Sequence, residues 1–317
     1  MGPRLWAEES PDYSERGGVM NAELVWNTWR RILRSDTLVH SVVHRENFTA
    51  PELKGLALEE IAILNDYAST PIATDTNIGM YRRGLVRNAL AALSLVPLSR
   101  GLLYGSGLDP EAVAAEFAQS TGYRDDGPYF WKIAGEFIAY LSKLPEFGER
   151  LLQDVLELDA AAAALARRLG ESVPEVWPER AASTYSQACL RIAPDSIHFV
   201  ASRAAVVVPS SYDLTKWIEN PDDFDSHEHL ERSKHYWLIY FSGADAALSY
   251  AELSKRCGRA FNLMSTPQSA SDLSLAFKGL GQNEVLDLIG SLSELGVIIP
   301  KSRRSISRPA VARQVST

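Results

Sequence analysis

The most constraining part of the sequence is residues 236–300, where strand and helix signals follow one another in a fixed order. Residues 237–241 are aliphatic and aromatic, which predicts a strand. A glycine-containing turn follows, and residues 246–248 predict the second strand of a hairpin. Ser249 and Glu252 have the spacing of a capping box, so we expect a helix to begin there.

The rest of this stretch predicts three short helices and a closing strand. An apolar stripe from Leu253 to Met264 marks the first helix, and Ser269 with Asp272 repeats the capping spacing for the second. The third helix is predicted over residues 283–295, before the strand at 297–299. This order predicts a small winged helix-turn-helix domain. The inward positions of the third helix are Val285, Leu288, Ile289, Leu292 and Leu295.

The outer face of the third predicted helix argues against the reading of DNA. A recognition helix needs Arg, Lys, Asn or Gln to reach phosphates and base edges. This face instead carries Glu284, Asp287 and Glu294.

A neighbouring stripe of the same helix has two interpretations. It consists of Leu286, Gly290 and Ser293, and a glycine inside a helix costs roughly 1 kcal/mol relative to alanine. One reason for such a glycine is the close approach of another backbone, as when a peptide adds a strand to the hairpin edge and lies against the helix. The other reason is ordinary helix packing.

At this point the sequence resembles a family. The segments AELSKRCGRAFNLMSTPQSASDLSLAF and NEVLDLIGSLSELGVII resemble the PqqD-like RiPP recognition element, the peptide-binding domain of ribosomal-peptide biosynthesis. The resemblance implies that a leader peptide binds as an added strand between the third strand, residues 246–248, and a groove helix, residues 283–295. The first strand of the family is not obvious, because residues 197–208 lie upstream of a polar insertion. The implied peptide-binding residues are Trp237, Ile239, Ala246, Ala247, Leu248, Leu286, Gly290 and Ser293.

The fold class predicted for the whole chain is α+β and mostly α, with an all-helical domain followed by the winged helix. The predicted segments are a disordered arm at 1–19, the helical domain at 20–170, a linker at 171–194, the peptide-recognition domain at 195–300 and a basic disordered tail at 301–317. Within the helical domain, a helix over residues 77–96 is expected to end at Pro97. Residues 101–107 predict a glycine-containing turn, and residues 220–231 an exposed loop.

Composition limits the partners and the location of the protein. The 317 residues carry a net charge of −8, which argues against broad affinity for nucleic acid or anionic membranes. No apolar run approaches the roughly 18 to 20 residues that span a bilayer, and no signal-peptide pattern opens the chain. The two cysteines, Cys189 and Cys257, form no CxxC motif. We therefore expect a cytoplasmic protein that does not bind nucleic acid or membrane.

The helical region adds a second resemblance. The segments GPYFWKIAGEFIAYL and ERLLQDVLELDAAAAALARRL, joined to a C-terminal recognition element, resemble the accessory partners of multinuclear non-haem iron oxidative enzymes of the 3-thiaglutamate type. The resemblance implies a non-catalytic subunit that holds no cofactor of its own and forms a heterodimer with the iron enzyme. It would bind the precursor peptide and present the C-terminal cysteine of that peptide, and the iron enzyme would excise the cysteine β-carbon.

The search for an active site within the chain finds no convincing catalytic set. The sequence has no P-loop and no GxSxG motif. His40 and His44 are spaced to share a helix face, although surface histidines fit the pattern better. A polar segment could hold a metal, but it is more typical of a solvated insertion. That candidate set is Asp222, Asp223, Asp225, His227, Glu228, His229 and His235.

Two rival functions remain beside the peptide-binding subunit. One is a winged-helix transcriptional regulator with a helical ligand-binding domain, which would bind duplex DNA. The other is an enzyme that uses the loop around His227 and a bound metal.

Overall fold

The described part of the chain is α+β and mostly helical, in agreement with the predicted class. A computed structural model describes residues 21–44, 56–127, 129–170, 195, 197–224, 230–242, 247–278 and 280–302. Within these ranges no helix is long and apolar enough to cross a membrane.

The helices and strands have the following bounds. The helices are α1 (Ala22–Arg34), α2 (Asp36–His44), α3 (Leu58–Ser69), α4 (Pro71–Ala92), α5 (Pro97–Gly105), α6 (Pro110–Ser120), α7 (Phe130–Leu141), α8 (Arg150–Gly170), α9 (Thr215–Glu219), α10 (Lys255–Leu263), α11 (Ala270–Ala276) and α12 (Gln282–Glu294). The strands are β1 (Ile197–Ala201), β2 (Ala205–Tyr212), β3 (Arg232–Ser242), β4 (Ala247–Glu252), β5 (Gln268–Ser269) and β6 (Ile298–Ser302).

The chain forms two compact units. The first comprises Met1–Leu85 with Ala118–Arg124, and the second comprises Val86–Phe117 with Asp125–Thr317. The helices α5, α7 and α8 therefore lie in the same unit as all six strands. The predicted arm at 1–19 and the predicted linker at 171–194 fall outside the described residues.

The first unit is organised around Arg82. Its Nη2 donates to the carbonyl oxygen of Leu33 at 2.7 Å, and its Nη1 lies 2.8 Å from Asp36 Oδ1. The guanidinium carbon lies 4.2 Å from the centre of the Tyr123 ring. Arg82 thus donates to a carbonyl at the end of α1 that has no hydrogen-bond partner within the helix, and it pairs with a carboxylate in the first turn of α2. The buried core beside it contains Ile32, Leu33, Leu38, Val42, Leu64, Ala68 and Ile78.

A three-stranded antiparallel sheet, in the order β2-β3-β4, forms the centre of the second unit. Alternate residues of β3 enter different cores, as the two-residue period of a strand requires. Trp237 and Ile239 belong to the core that also contains residues of α5–α8, here called the helical core. Leu238 belongs to the C-terminal core, which contains residues of α10–α12. Both faces of β3 are therefore buried.

A second sheet, in the order β5-β1-β6, adjoins the C-terminal helices. β1 pairs antiparallel with β6 from Ile197↔Ser302 to Ala201↔Ile298. The predicted capping box before α11 is confirmed, because Ser269 Oγ accepts from the Asp272 backbone N–H at 3.1 Å and Asp272 Oδ2 accepts from the Ser269 N–H at 2.9 Å.

The predicted capping box at Ser249 and Glu252 is wrong, since both residues lie in β4. Pairing with the long strand β3 continues as far as Trp237↔Glu252, and this pairing extends the strand through the expected cap. The helix begins later, where the Ser254 side chain accepts from the Cys257 N–H at 3.2 Å.

The helix predicted over residues 77–96 is observed as α4 followed by a 3₁₀ turn at Leu93–Leu95, and it ends before Pro97 as predicted. Pro97 then occupies the first turn of α5, where its missing N–H costs no helical hydrogen bond. The predicted turn at residues 101–107 is therefore helical up to Gly105. The predicted exposed loop at 220–231 is partly buried, because Phe224 packs on Trp217 with ring centres 4.6 Å apart.

Gly101 allows α5 to approach the short 3₁₀ helix Pro221–Asp223. A Cβ at this position would lie 1.9 Å from the Pro221 carbonyl oxygen, which is closer than atoms can approach. Arg100 Nη2 lies 2.6 Å from Asp222 Oδ1 in the same contact. The two elements therefore meet backbone to backbone.

We predict that Gly101→Ala destabilises the protein, whereas Gly84→Ala does not. The methyl group of alanine at position 101 would force the backbones of α5 and the 3₁₀ helix apart, which would cost about 2 kcal/mol. A Cβ at Gly84, inside α4, meets no atom within 4 Å, and alanine should gain about 0.5–1 kcal/mol of helix propensity. Urea unfolding of the full chain measures both effects. Equal stabilities of the two variants would contradict the close approach at Gly101.

Candidate functional site

The outer edge of β4 is the first candidate site. Leu253 N–H donates to the Tyr236 carbonyl oxygen at 2.8 Å. This bond shows which residues of β4 direct their backbone N–H and C=O groups toward β3. Backbone groups alternate in direction along an antiparallel pair, so those of Leu248, Tyr250 and Glu252 point away from β3. Among the described residues, β4 has a strand neighbour on one side only. Such an edge can accept an added strand.

The predicted peptide-binding side chains do not lie together on one surface. Trp237 and Ile239 are 3% and 0% exposed in the helical core, and Leu286 is 2% exposed in the C-terminal core. Leu248 is half-buried against the helical core, and Ala247 is exposed. Ala246 lies outside the described residues. Most of the predicted side chains are therefore buried, whereas the outer backbone groups of β4 have no strand partner among the described residues.

The third predicted helix is observed as α12, one residue displaced at each end. Its inward positions Val285, Leu288, Ile289 and Leu292 are buried as predicted. Leu286 is also buried, which makes it a core residue, whereas Gly290 and Ser293 are half-buried. Of the predicted groove stripe, only these two positions retain accessible surface.

Two buried carboxylates of α8 hold the edge strands of the sheet. Asp154 Oδ2 accepts from Ser210 Oγ at 3.1 Å and from the Ser211 backbone N–H at 2.5 Å, both on β2. The other oxygen, Oδ1, lies 2.5 Å from Nη2 of Arg150. A buried carboxylate needs such partners to offset its desolvation.

Asp159 makes the equivalent contact with β4. Its Oδ1 accepts from the Tyr250 hydroxyl at 2.9 Å, and its Oδ2 accepts from the Ser99 backbone N–H at 2.6 Å. Burial raises the pKa of Asp159 to about 6, and these hydrogen bonds only partly oppose the rise. Burial, together with the charge of Asp159, also raises the pKa of Tyr250. The position of the candidate binding edge is therefore coupled to a titrating carboxyl group.

A second candidate site lies at the other end of β3, where three polar side chains form a chain of hydrogen bonds. Ser233 Oγ lies 2.6 Å from His235 Nε2, and His235 Nδ1 lies 2.7 Å from Glu252 Oε1. The sequence pattern assigns His235 to the candidate metal-binding set, and it does not predict this cluster. The detectable signal was the i, i+2 spacing of Ser233 and His235 within one strand, which places both on the same face. Glu252 could be added only once the β3–β4 register was known.

An open cleft of about 410 Å³ adjoins Ser233. Its lining contains three cationic residues and no acidic one. The lining residues are Arg150, Pro209, Ser210, Ser211, Arg232, Ser233 and Lys234.

The metal candidates from the sequence do not come together where they are described. Residues 225–229, which hold four of the seven, fall outside the described ranges. Asp222 pairs with Arg100, and Asp223 accepts from the Asn220 side chain. His40 and His44 share a face of α2, with ring centres 4.2 Å apart. Within the described ranges, no three His, Cys, Asp or Glu side chains form a metal-binding group.

No protein-family model matches the chain, and no curated protein matches it. The geometry of the two candidate sites is therefore the structural basis for any function of this chain.

We predict that the stability of the protein falls as pH rises from about 4 to 6, and that Asp159→Asn removes this component. The folded pKa of about 6 exceeds the ordinary value of 3.8, so the folded state binds the proton more tightly. This tighter proton binding stabilises the folded protein by about 3 kcal/mol below pH 4, and the stabilisation is lost above pH 6. Urea unfolding at several pH values measures it.

Tyr250→Phe serves as the matched variant for this prediction. It removes a hydrogen bond that lowers the pKa of Asp159, so the falling part of the stability curve should extend to higher pH than in the unmodified protein. Identical pH dependence in the unmodified protein and the Asp159→Asn variant would contradict protonation of Asp159 in the folded state.

Proposed function

We propose that this protein is a peptide-binding partner subunit of the RiPP-recognition type, which captures a precursor peptide by strand addition to β4. In this proposal the chain takes no part in the iron chemistry. It presents the C-terminal cysteine of the bound peptide to a separate multinuclear iron enzyme, which excises the cysteine β-carbon. The observation that carries the proposal is the outward-pointing backbone of β4.

The order of the elements supports this interpretation. An antiparallel sheet of three strands, β2-β3-β4, is followed by three helices, α10, α11 and α12. In the proposal, β2, β3 and β4 would be the three strands of the recognition element that the sequence resembles, and β2 would be the first strand that the sequence left unassigned. β5, β1 and β6 form a separate small sheet.

In this proposal the backbone of β4 binds the peptide, and most of the side chains that the sequence predicted as binding residues support the site from below. The main-chain groups of Leu248, Tyr250 and Glu252 would provide the hydrogen bonds of an added strand. Gly290 and Ser293 on α12 are half-buried, and they would be the positions of the predicted groove stripe that contact the peptide. Trp237, Ile239 and Leu286 would support the site from within the cores.

The proposal gives the captured peptide a high local concentration at the partner enzyme. Tethering by a short flexible connection raises the effective concentration of a reactive group to the millimolar range. The iron would belong to the partner subunit, with which this chain would form a heterodimer.

The rival function, a transcriptional regulator, is less well supported. The exposed face of α12 carries Glu284, Asp287 and Glu294, and these carboxylates would repel the phosphates of duplex DNA. No observation favours this function over peptide binding.

We predict that Glu252→Pro abolishes peptide capture, whereas Glu252→Ala preserves it. Proline removes the outward backbone N–H at position 252 and leaves the ladder to β3 intact, because that N–H faces away from β3. Both variants lose the Glu252 side chain, so their difference isolates the backbone donor. The measurement is affinity purification of the tagged protein from its native cells, followed by mass spectrometry of the bound peptide.

Retention of the same peptide by the Glu252→Pro variant would contradict strand addition at β4. Recovery of duplex DNA in place of a peptide would favour the regulator.

We further propose that the iron enzyme docks on the helical region, and we predict that Ile72→Asp weakens recovery of an iron-containing protein by about tenfold or more, the loss that a hot-spot residue of an interface gives. Ile72 lies on α4 and is 84% exposed, so the charge should not disturb the fold. Leu275→Asp is the matched control, since Leu275 is 78% exposed on α11. Affinity purification of each tagged variant from its native cells, with quantification of iron and of the partner protein, compares Ile72→Asp with Leu275→Asp. Equal recovery with both variants would contradict docking through this part of the helical region.

A further inference from the structure

The cluster of Ser233, His235 and Glu252 has the connectivity of a hydrolytic triad. The serine oxygen lies 2.6 Å from His235 Nε2, within reach of direct proton transfer. The opposite ring nitrogen, Nδ1, lies 2.7 Å from the Glu252 carboxylate. Triads are recognised by these roles and distances rather than by the order of the residues along the chain.

We propose that this cluster is a hydrolytic site for carboxylic esters that carry a negative charge. Ser233 is the nucleophile, His235 is the general base, and Glu252 is a positioning residue that acts through His235. This activity goes beyond the peptide binding proposed for β4. The two share Glu252, whose backbone faces the strand edge while its side chain contacts His235.

The hydrogen bonds define the tautomer that the reaction needs. When Nδ1–H donates to Glu252, Nε2 is free to accept the proton of the Ser233 hydroxyl. Glu252 would also stabilise the imidazolium that forms during the reaction.

The surroundings distinguish the serine from the histidine. Ser233 is exposed and lines the cleft, whereas the His235 side chain is only 17% exposed. A nucleophile at the surface of a cleft with a partly buried base is the arrangement that an incoming ester requires.

Charge at the cleft indicates the class of substrate. Arg150 is paired with Asp154 and Glu157, but no described acidic residue pairs with Arg232 or Lys234. Both line the cleft together with Ser233. Their positive charges therefore give a favourable potential for an anionic substrate at the cleft.

The reaction balances with water as the only co-substrate. Ser233 Oγ attacks the ester carbonyl carbon while its proton passes to Nε2 of His235. The tetrahedral intermediate expels the alcohol, which leaves with that proton, and an acyl-serine remains. Water then attacks the acyl group and gives a proton to Nε2, and the acid departs as the proton returns to Ser233.

The first test is labelling of the purified full chain with a fluorophosphonate, which reacts with activated serines. We expect an adduct on Ser233, located by peptide mass spectrometry, and none in Ser233→Ala. His235→Gln should slow labelling by about 100-fold or more, the range of general-base contributions. Ser291→Ala is the control, because Ser291 is an exposed serine on α12 remote in sequence from the cluster.

A structural role for the same hydrogen bonds would give a different result. Loss of His235 would then lower the unfolding midpoint without any adduct forming on Ser233 in the unmodified protein. Absence of the adduct, or equal labelling of the unmodified protein and a folded His235→Gln variant, overturns the proposal.

The second test compares a nitrophenyl ester bearing a carboxylate with nitrophenyl acetate. We expect the charged ester to have the lower KM, and Arg232→Ala to raise that KM several-fold with little change in kcat. Equal KM values for the two esters overturn the assigned substrate class. Ser233→Ala should still capture the peptide, so failure of the hydrolytic site and failure of strand addition at β4 can be told apart.

Discussion

Helix α8 determines where both edges of the central sheet lie. Its two buried carboxylates, five residues apart, bind opposite edge strands, since Asp154 accepts hydrogen bonds from β2 and Asp159 accepts one from β4. A carboxylate that is buried without hydrogen-bond partners is strongly unfavourable, so each edge strand must stay within hydrogen-bonding distance of its carboxylate. The sheet is held in one orientation on α8, and the free edge of β4 follows from that orientation.

The same arrangement explains why the sheet can be buried on both faces and still offer a binding surface. The side chains of β3 enter two separate cores, and those of β4 largely follow them. Among the described residues, the outer row of backbone groups on β4 has no strand partner, so it could pair with an extended chain of varied sequence.

The sequence predicted most local elements correctly because their signals are local. The apolar run of β3, the cap of α11 and the apolar face of α12 each lie within a few residues of the structure that they specify. The failures involve contacts between distant segments. Pairing with β3 extends β4 through the expected cap at Ser249, and Gly101 is explained only by Pro221, which lies 120 positions away. The Ser233–His235–Glu252 cluster likewise depends on the register of two strands.

The predicted peptide-binding residues illustrate the same limit. Trp237 and Ile239 are apolar members of a strand, and the sequence does not reveal that helices cover the face they occupy. Leu286 lies one position from a core residue of α12, and only the packing of α12 shows that it is buried as well. The backbone of β4, which has no sequence signature of its own, was therefore the part of the site hardest to predict.

Amide hydrogen exchange of the full chain, with and without the peptide recovered from native cells, tests strand addition most directly. Strand addition at β4 predicts slowed exchange of residues 247–252 in the complex, because the outward N–H groups would become hydrogen-bonded donors. Unchanged exchange in this segment, with protection elsewhere in the described ranges, would contradict peptide binding at the β4 edge.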